Sequence, residues 1–100
     1  MNQINTCQDE IRKGELCLEL GNKFINEGQF TGAKEQLVKA SEHFNNCKQR
    51  DDNLREHMAR LSNSFGNYYW YQNDLSRAIQ HYQKSVDTFK EMGQPNNPDL

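Results

Sequence analysis

The second half of this chain repeats the first half at a fixed offset of 45 residues. Residues 20–24 (LGNKF) align with residues 65–69 (FGNYY), with a glycine and an asparagine in the middle of each segment. The pairs that continue this register are Gly28 with Asn73, Phe30 with Leu75, Ala33 with Ala78, Leu37 with Tyr82, and Ala40 with Ser85. A repeat of this length indicates one supersecondary unit that is used twice and stacked on itself.

The apolar residues in each half recur at helical spacing, and no stretch alternates with period two for long enough to form a strand. Four segments carry such stripes, and the two prolines, Pro95 and Pro98, follow all of them. The residues predicted to face the core are Ile11, Leu16, Leu20 and Phe24; Phe30, Ala33, Leu37, Ala40 and Phe44; Leu54, Met58, Leu61, Phe65 and Tyr69; and Leu75, Ala78, Ile79, Tyr82, Val86 and Phe89. The sequence therefore predicts four helices and an all-α fold.

Polar segments separate the four helices. The first turn contains Gly28, and the stretch before the third helix is rich in amides and charges. Asn53 and Glu56 have the spacing of a capping box for the third helix, and Asp74 is placed to cap the fourth. Gly93 stands where the glycine after a helix is expected, so residues 93–100 are predicted to form a flexible tail or linker.

The repeated pattern resembles the tetratricopeptide repeat (TPR), whose signature is Leu-Gly-x-x-Tyr, a glycine-containing turn, an aromatic residue, and then Ala, a large apolar residue and Ala. The matching residues are Leu20, Gly21, Phe24, Gly28, Phe30, Ala33, Leu37 and Ala40 in the first copy, and Phe65, Gly66, Tyr69, Leu75, Ala78, Tyr82 and Ser85 in the second. The resemblance covers roughly residues 14–47 and 59–92. It departs from the signature at Cys17 and Ser62, and it lacks the proline that usually follows the second helix.

A standard repeat has about 34 residues, so the 45-residue period is similar to the long-repeat style of Leu-Gly-Asn repeat scaffolds, kinesin light chains and bacterial peptide-pheromone receptors. The resemblance implies antiparallel helical hairpins stacked as a short right-handed solenoid, with two repeats and four long helices in one domain over residues 1–92. A glycine inside a helix costs about 1 kcal/mol relative to alanine. Gly21 and Gly66 are therefore expected where the partner helix, with Ala33 or Ala78, comes close.

In this family the first helix of each pair lines a concave groove, and long-repeat members use asparagines there to bind a peptide backbone. An asparagine side chain can donate and accept hydrogen bonds at once, and the resemblance carries this role over to Asn22 and Asn67. The positions expected to face the groove are Glu15, Leu18, Asn22, Ile25 and Asn26, and Arg60, Asn63, Asn67, Trp70 and Tyr71. Among these, the candidate peptide-binding residues are Asn22, Asn26, Arg60, Asn63, Asn67, Trp70 and Tyr71.

Two alternatives accompany this prediction. The chain has 12 asparagines, so some matched pairs arise by chance on a solvated helix surface. Trp70 and Tyr71 are expected to be partly exposed and are the residue types that anchor interfaces, but they could also pack on a neighbouring helix of this chain.

The composition excludes several other classes of site. The formal net charge is -2 without a basic patch, so nucleic acid is not expected as a partner, and no apolar run approaches the roughly 20 residues that span a bilayer. Cys7, Cys17 and Cys47 are odd in number and lack paired spacing, which predicts reduced thiols in a cytoplasmic protein. His43 and Cys47 are too few ligands for a zinc site, and no cofactor is expected.

No arrangement of residues predicts catalysis. Ser41, Glu42 and His43 are neighbours in sequence and cannot face one another on a helix, and the three histidines are all expected on the helix surface. The chain is therefore interpreted as a non-enzyme, either a module that binds a peptide segment of a partner or a structural subunit of a larger assembly. The second hypothesis includes a homodimer through exposed repeat ends, because two repeats fall below the three or so usually needed for stability.

Overall fold

A computed structural model describes residues 6–48 and 51–92 of the chain. These residues form four α-helices: α1 (Thr6–Asn26), α2 (Phe30–Asn46), α3 (Asp52–Tyr71) and α4 (Leu75–Glu91). The predicted all-α class is confirmed, and no strand occurs within the described segments. The predicted cap at Gly93 and the tail of residues 93–100 lie outside them.

The helices pack as two hairpins. Helix α1 runs along α2, and α3 runs along α4, while α3 also contacts both helices of the first pair. Among the described residues, α4 contacts α3 only. The molecule is accordingly thin, with extents of 43 × 40 × 17 Å, and one side of α4 is left without a neighbouring helix.

The two hairpin turns have the same backbone conformation. Gly28 has a φ of 77°, and Asn73, its equivalent in the repeat, has a φ of 66°. Left-handed backbone favours glycine, and asparagine is among the few other residues that adopt it readily. The two different residues at this position therefore satisfy the same geometric requirement, as the 45-residue register predicts.

Aspartates cap the third and fourth helices. Asp74 caps α4 as predicted, with its Oδ1 accepting a hydrogen bond of 3.2 Å from the backbone N–H of Arg77. The predicted cap of α3 is wrong, because Asp51 occupies that position and accepts a 3.0 Å hydrogen bond from the N–H of Leu54. The helix begins at Asp52, so Asn53 already lies within its first turn.

Glycines allow the helices of each hairpin to come close. A Cβ atom at Gly21 would lie 2.8 Å from Cδ2 of Leu37, and one at Gly66 would lie 2.6 Å from the ring of Tyr82. These distances confirm the predicted close approach at both positions. Gly14 has the same role, since its Cβ would lie 2.6 Å from the ring of Phe44. Its small equivalent in the second repeat is Ala59, which is fully buried.

The predicted apolar stripe of α1 is partly wrong. Leu16 is 62% exposed and Leu20 is 39% exposed, whereas Leu18 and Ile25 are each only 5% exposed. The reason is that α3 packs on the side of α1 that carries Leu18 and Ile25, and no described helix covers the side that carries Leu16. Periodicity alone could not choose between these two sides of α1.

Two of the three cysteines form a disulfide, which corrects the prediction that all three thiols are reduced. Cys7 lies in the first turn of α1 and Cys47 is the C-cap residue of α2, with a Cα–Cα distance of 4.7 Å. The antiparallel hairpin brings together these two residues, which are separated by 40 positions in the chain. Cys17 remains a free thiol.

Candidate functional site

Helices α1 and α3 lie side by side and form a shallow groove between them. The groove has a volume of about 280 Å³ and is lined by Asn22, Ile25, Asn26, Asn63, Ser64, Asn67 and Tyr71. Five of the seven predicted binding residues therefore meet at one place, four of them asparagines. This set is called the asparagine groove below.

A second cavity of about 380 Å³ continues the groove and shares Asn22, Asn63 and Ser64 with it. Arg60 lines this cavity together with Glu15 and Glu19, and its guanidinium group lies 3.0 Å from the carboxylate of Glu56. This extension is therefore charged, with acidic side chains from α1 opposite a basic side chain from α3. The asparagine groove itself carries no formally charged residue in its lining.

Equivalent asparagines differ in their hydrogen bonds. The hydroxyl group of Tyr82 on α4 donates to Oδ1 of Asn67. Burial, and to a smaller extent nearby Tyr71, raises the pKa of Tyr82 above its ordinary value of 10.0, so the hydroxyl stays protonated as a donor. The bond fixes the orientation of the Asn67 amide and leaves its NH₂ group free to donate to another partner.

Asn22 lacks this particular bond, because the equivalent of Tyr82 in the first repeat is Leu37. A leucine side chain has no hydroxyl group to orient the amide. The prediction treated the two asparagines as interchangeable, and the structure separates them. Asn67 has a fixed donor side, and no tyrosine hydroxyl orients the amide of Asn22 in this way.

One predicted groove position lies elsewhere. Leu18 lines the second cavity and Ile25 lines the asparagine groove, although both residues also belong to the hydrophobic core beneath α3. Trp70 lines neither of the two cavities and is 55% exposed. It occupies the position of Ile25 in the second repeat, on the face that would be buried if another helix followed α4.

The adjacent Tyr71 is partly exposed and also packs on a neighbouring helix of this chain, so both alternatives given for the aromatic pair apply to it. It is 59% exposed and lines the groove, and its ring also stacks on Phe30 of α2 with a centroid distance of 6.2 Å. Contact within the chain therefore holds one face of the ring, and the rest of the side chain is accessible at the end of the groove.

The sequence missed the histidine contacts that hold α1 in place. His57 was predicted on the surface but is buried, with Nδ1 2.8 Å from the backbone carbonyl oxygen of Asn53 and Nε2 3.2 Å from Oε2 of Glu15. His43 donates from Nδ1 to Oε1 of Glu10 at 2.7 Å. The signal for His57 was its spacing from Leu54 and Leu61, three and four residues away on one side of α3.

A larger cavity of about 660 Å³ lies outside the asparagine groove, along the surface of α2. Its lining consists of Val38, Tyr68 and polar or charged residues of α2, namely Thr31, Lys34, Glu35, Lys39 and Glu42. Because the lysine and glutamate side chains alternate along one solvated helix, this surface lacks the set of matched residues from two helices that defines the asparagine groove.

Neither a metal site nor a membrane span is present in the described part of the chain. No group of three or more His, Cys, Asp or Glu side chains there could hold a metal ion. None of the four helices combines the length and the apolar character that crossing a bilayer requires.

No protein-family model matches the chain, and no curated protein or solved structure matches it at a significant level. The resemblance to the TPR family therefore depends on the repeated residues quoted above.

Proposed function

We propose that the two hairpins are TPR-type repeats in a right-handed stack, and that the chain is a non-catalytic protein interaction module. In this proposal the asparagine groove holds a peptide segment of a partner protein. The observation that carries it is the convergence of Asn22, Asn26, Asn63, Asn67 and Tyr71 on one cavity. Four amides from two repeats in an uncharged groove suit a ligand that presents alternating C=O and N–H groups.

The hydrogen bond from Tyr82 determines which group of Asn67 is available to the peptide. Because Oδ1 of Asn67 already accepts this bond, its NH₂ group is the part that donates to a peptide carbonyl oxygen. Asn22 then serves the next part of the peptide backbone as donor or acceptor. Binding through the backbone tolerates different side chains, and the exposed Tyr71 supplies an aromatic contact at one end.

The test begins with a phage-displayed library of random linear peptides panned against the full chain. A selected peptide is labelled with fluorescein, and its affinity is measured by fluorescence polarisation. Each hydrogen bond contributes about 1 kcal/mol, so the double variant Asn22→Ala with Asn67→Ala is expected to bind roughly thirtyfold more weakly. Tyr82→Phe is expected to weaken binding less, because it removes only the group that orients Asn67.

The matched control is Asn45→Ala, which removes an exposed asparagine of α2 outside the groove and is expected to leave the affinity unchanged. Circular dichroism spectra of all variants establish that the helices are intact. A library that yields no binder, or a peptide whose affinity is equal for wild type and the double variant, contradicts the proposal.

A second candidate function is that of an assembly subunit. The observation that favours it is the exposure of Leu75, Ile79, Val86 and Phe89 along α4. Soluble monomers rarely leave a continuous apolar strip uncovered.

A further inference from the structure

Helix α4 carries an apolar stripe beside the face that packs on α3. Leu75, Ile79, Val86 and Phe89 are between 41% and 63% exposed, and half-buried Tyr82 lies between them. The five residues follow one another at spacings of four and three, which is the 3.5-residue period of two helices that pack along a seam. These five residues are called the α4 seam.

In the first hairpin three of the five equivalent positions form a helix–helix interface, while Lys34 is exposed. In the 45-residue register the seam residues are equivalent to Phe30, Lys34, Leu37, Ser41 and Phe44 of α2. There, the Phe30 ring contacts Tyr68 and Tyr71 of α3, the Phe44 ring contacts His57, and Leu37 and Phe44 are fully buried. The α4 seam therefore continues an interface that this chain already uses.

The α4 seam is also more apolar than the equivalent stripe of α2. Ile79 replaces Lys34, and Val86 replaces Ser41. A stripe that faced water only would gain nothing from isoleucine and valine at these two positions. The substitutions favour an occupant that is itself an apolar helix face.

Head-to-tail stacking of copies would place the wrong residues in this interface. In such a stack, α1 of the next copy would take the place of α3, with Asp9 at the position of fully buried Leu54 and Arg12 at the position of His57. In the observed structure His57 of α3 pairs with Glu15 of α1. In the stack the equivalents of these two residues are Arg12 of the next copy and Arg60, so two arginines would face each other. A buried carboxylate and two facing guanidinium groups both oppose this arrangement.

We propose that the α4 seam binds the α4 seam of a second copy of this chain, antiparallel and around a two-fold axis. This pairing places Leu75 and Ile79 of one copy against Val86 and Phe89 of the other. On the side of the seam away from α3 the flanking residues are Ser76, Gln83 and Lys90, so antiparallel contact brings Lys90 near the uncharged Ser76. The two-fold arrangement covers both seams at once and closes the assembly.

The affinity of such a dimer is expected to be modest. One pair of 17-residue helices buries less than the roughly 800 Å² per partner of a standard interface, which is the range of weak, reversible complexes. Sedimentation equilibrium of the full chain over micromolar to millimolar concentrations is therefore the measurement. The wild-type chain is expected to show a reversible monomer–dimer equilibrium without larger species.

Two single substitutions and their mixture test the geometry. Ile79→Lys and Val86→Glu are each expected to weaken dimerisation at least about tenfold, because each places a charge in the apolar seam. An equimolar mixture of the two variants is expected to restore dimers. Antiparallel pairing brings the introduced charges together at one contact and leaves the wild-type Ile79 and Val86 together at the other.

The matched control is Leu16→Lys on α1, where the wild-type leucine is as exposed as Ile79. It is expected to leave dimerisation unchanged, and circular dichroism verifies that all variants are folded. The proposal is overturned if the wild-type chain stays monomeric at millimolar concentration. It is also overturned if Leu16→Lys weakens association as much as Ile79→Lys, or if the mixture of variants fails to form dimers.

Discussion

Phe44 and Phe89 occupy the same position in the two hairpins, but their surroundings differ. Phe44 is fully buried, whereas Phe89 is 41% exposed. The same contrast holds for Ile25 and Trp70, which are 5% and 55% exposed. In both pairs the residue of the first hairpin lies under α3, and the residue of the second hairpin has no described helix above it. Position within the repeat therefore sets which way a side chain points, and the neighbouring helix sets whether it is buried.

The two hairpins also differ at the end where α1 begins and α2 finishes. There, the Cys7–Cys47 disulfide and the hydrogen bond from His43 to Glu10 tie the two helices together. The equivalents of the cysteines in the second hairpin are Asp52 and Met92. Those of Glu10 and His43 are Arg55 and Thr88, so neither tie can form there. The first hairpin is therefore tied at this end, and the second hairpin has neither of these ties.

The largest expected effect is a loss of stability that differs between Phe44 and Phe89. Phe44→Ala is expected to lower the free energy of unfolding by about 3–5 kcal/mol, because it removes a fully buried ring and leaves a cavity beside Gly14. Phe89→Ala is expected to lower it by no more than about 1.5 kcal/mol, because part of its ring already contacts solvent.

Urea denaturation at a protein concentration below the dimer range measures both variants without interference from association. Equal losses of unfolding free energy in Phe44→Ala and Phe89→Ala would contradict the conclusion that α3 buries Phe44 and leaves Phe89 exposed.

The next effect concerns the disulfide. Cys7→Ser is expected to cost about 2–4 kcal/mol, the usual range for a disulfide that closes a loop of this size. Hydrogen exchange is expected to accelerate in the first turns of α1 and the last turn of α2, and to change little in α4. Cys17→Ser is the control, since its thiol is free and its removal leaves the hairpin closed. A Cys7→Ser protein that melts at the wild-type temperature would remove this difference between the hairpins.

The smallest effect is a difference in pH dependence. Burial, and to a smaller extent nearby Lys84, lowers the pKa of His81 below its ordinary value of 6.5, and this ring stacks on Phe65 and Tyr69 in the second hairpin. Because the unfolded chain takes up this proton first, the contribution of His81 to stability is complete above pH 6.5 and declines below it. In the first hairpin, the hydrogen bond from His43 lowers the pKa of Glu10 below 4.5. That contribution is complete above pH 4.5 and is lost as the pH falls through the lowered value.

Urea midpoints measured from about pH 8 to pH 3 distinguish the two groups. His81→Gln is expected to flatten the decline that begins near pH 6.5, and Glu10→Gln is expected to flatten only the decline below about pH 4.5. If both variants changed the same pH range of the urea midpoints, the predicted difference between the two hairpins would be contradicted.

Much of the fold and part of the site could be predicted from local sequence. The four helices, the cap at Asp74 and the close approach at Gly21 and Gly66 depend on residues near in sequence or on the repeat register. The asparagine groove could be predicted as a set because its members lie on one face of the first helix of each repeat. Burial of Leu18 instead of Leu16 could not be predicted, because it depends on which side of α1 faces α3.

The sequence by itself determined that this protein consists of two copies of one helical hairpin, because periodicity, turn residues and small residues at helix contacts are local requirements. Only the tertiary structure decided which copy is covered, which cysteines are joined and which asparagine is held by a tyrosine. Those outcomes depend on distances between residues that are 15 to 40 positions apart. Such distances are set by how the helices pack, which no single segment of the chain encodes.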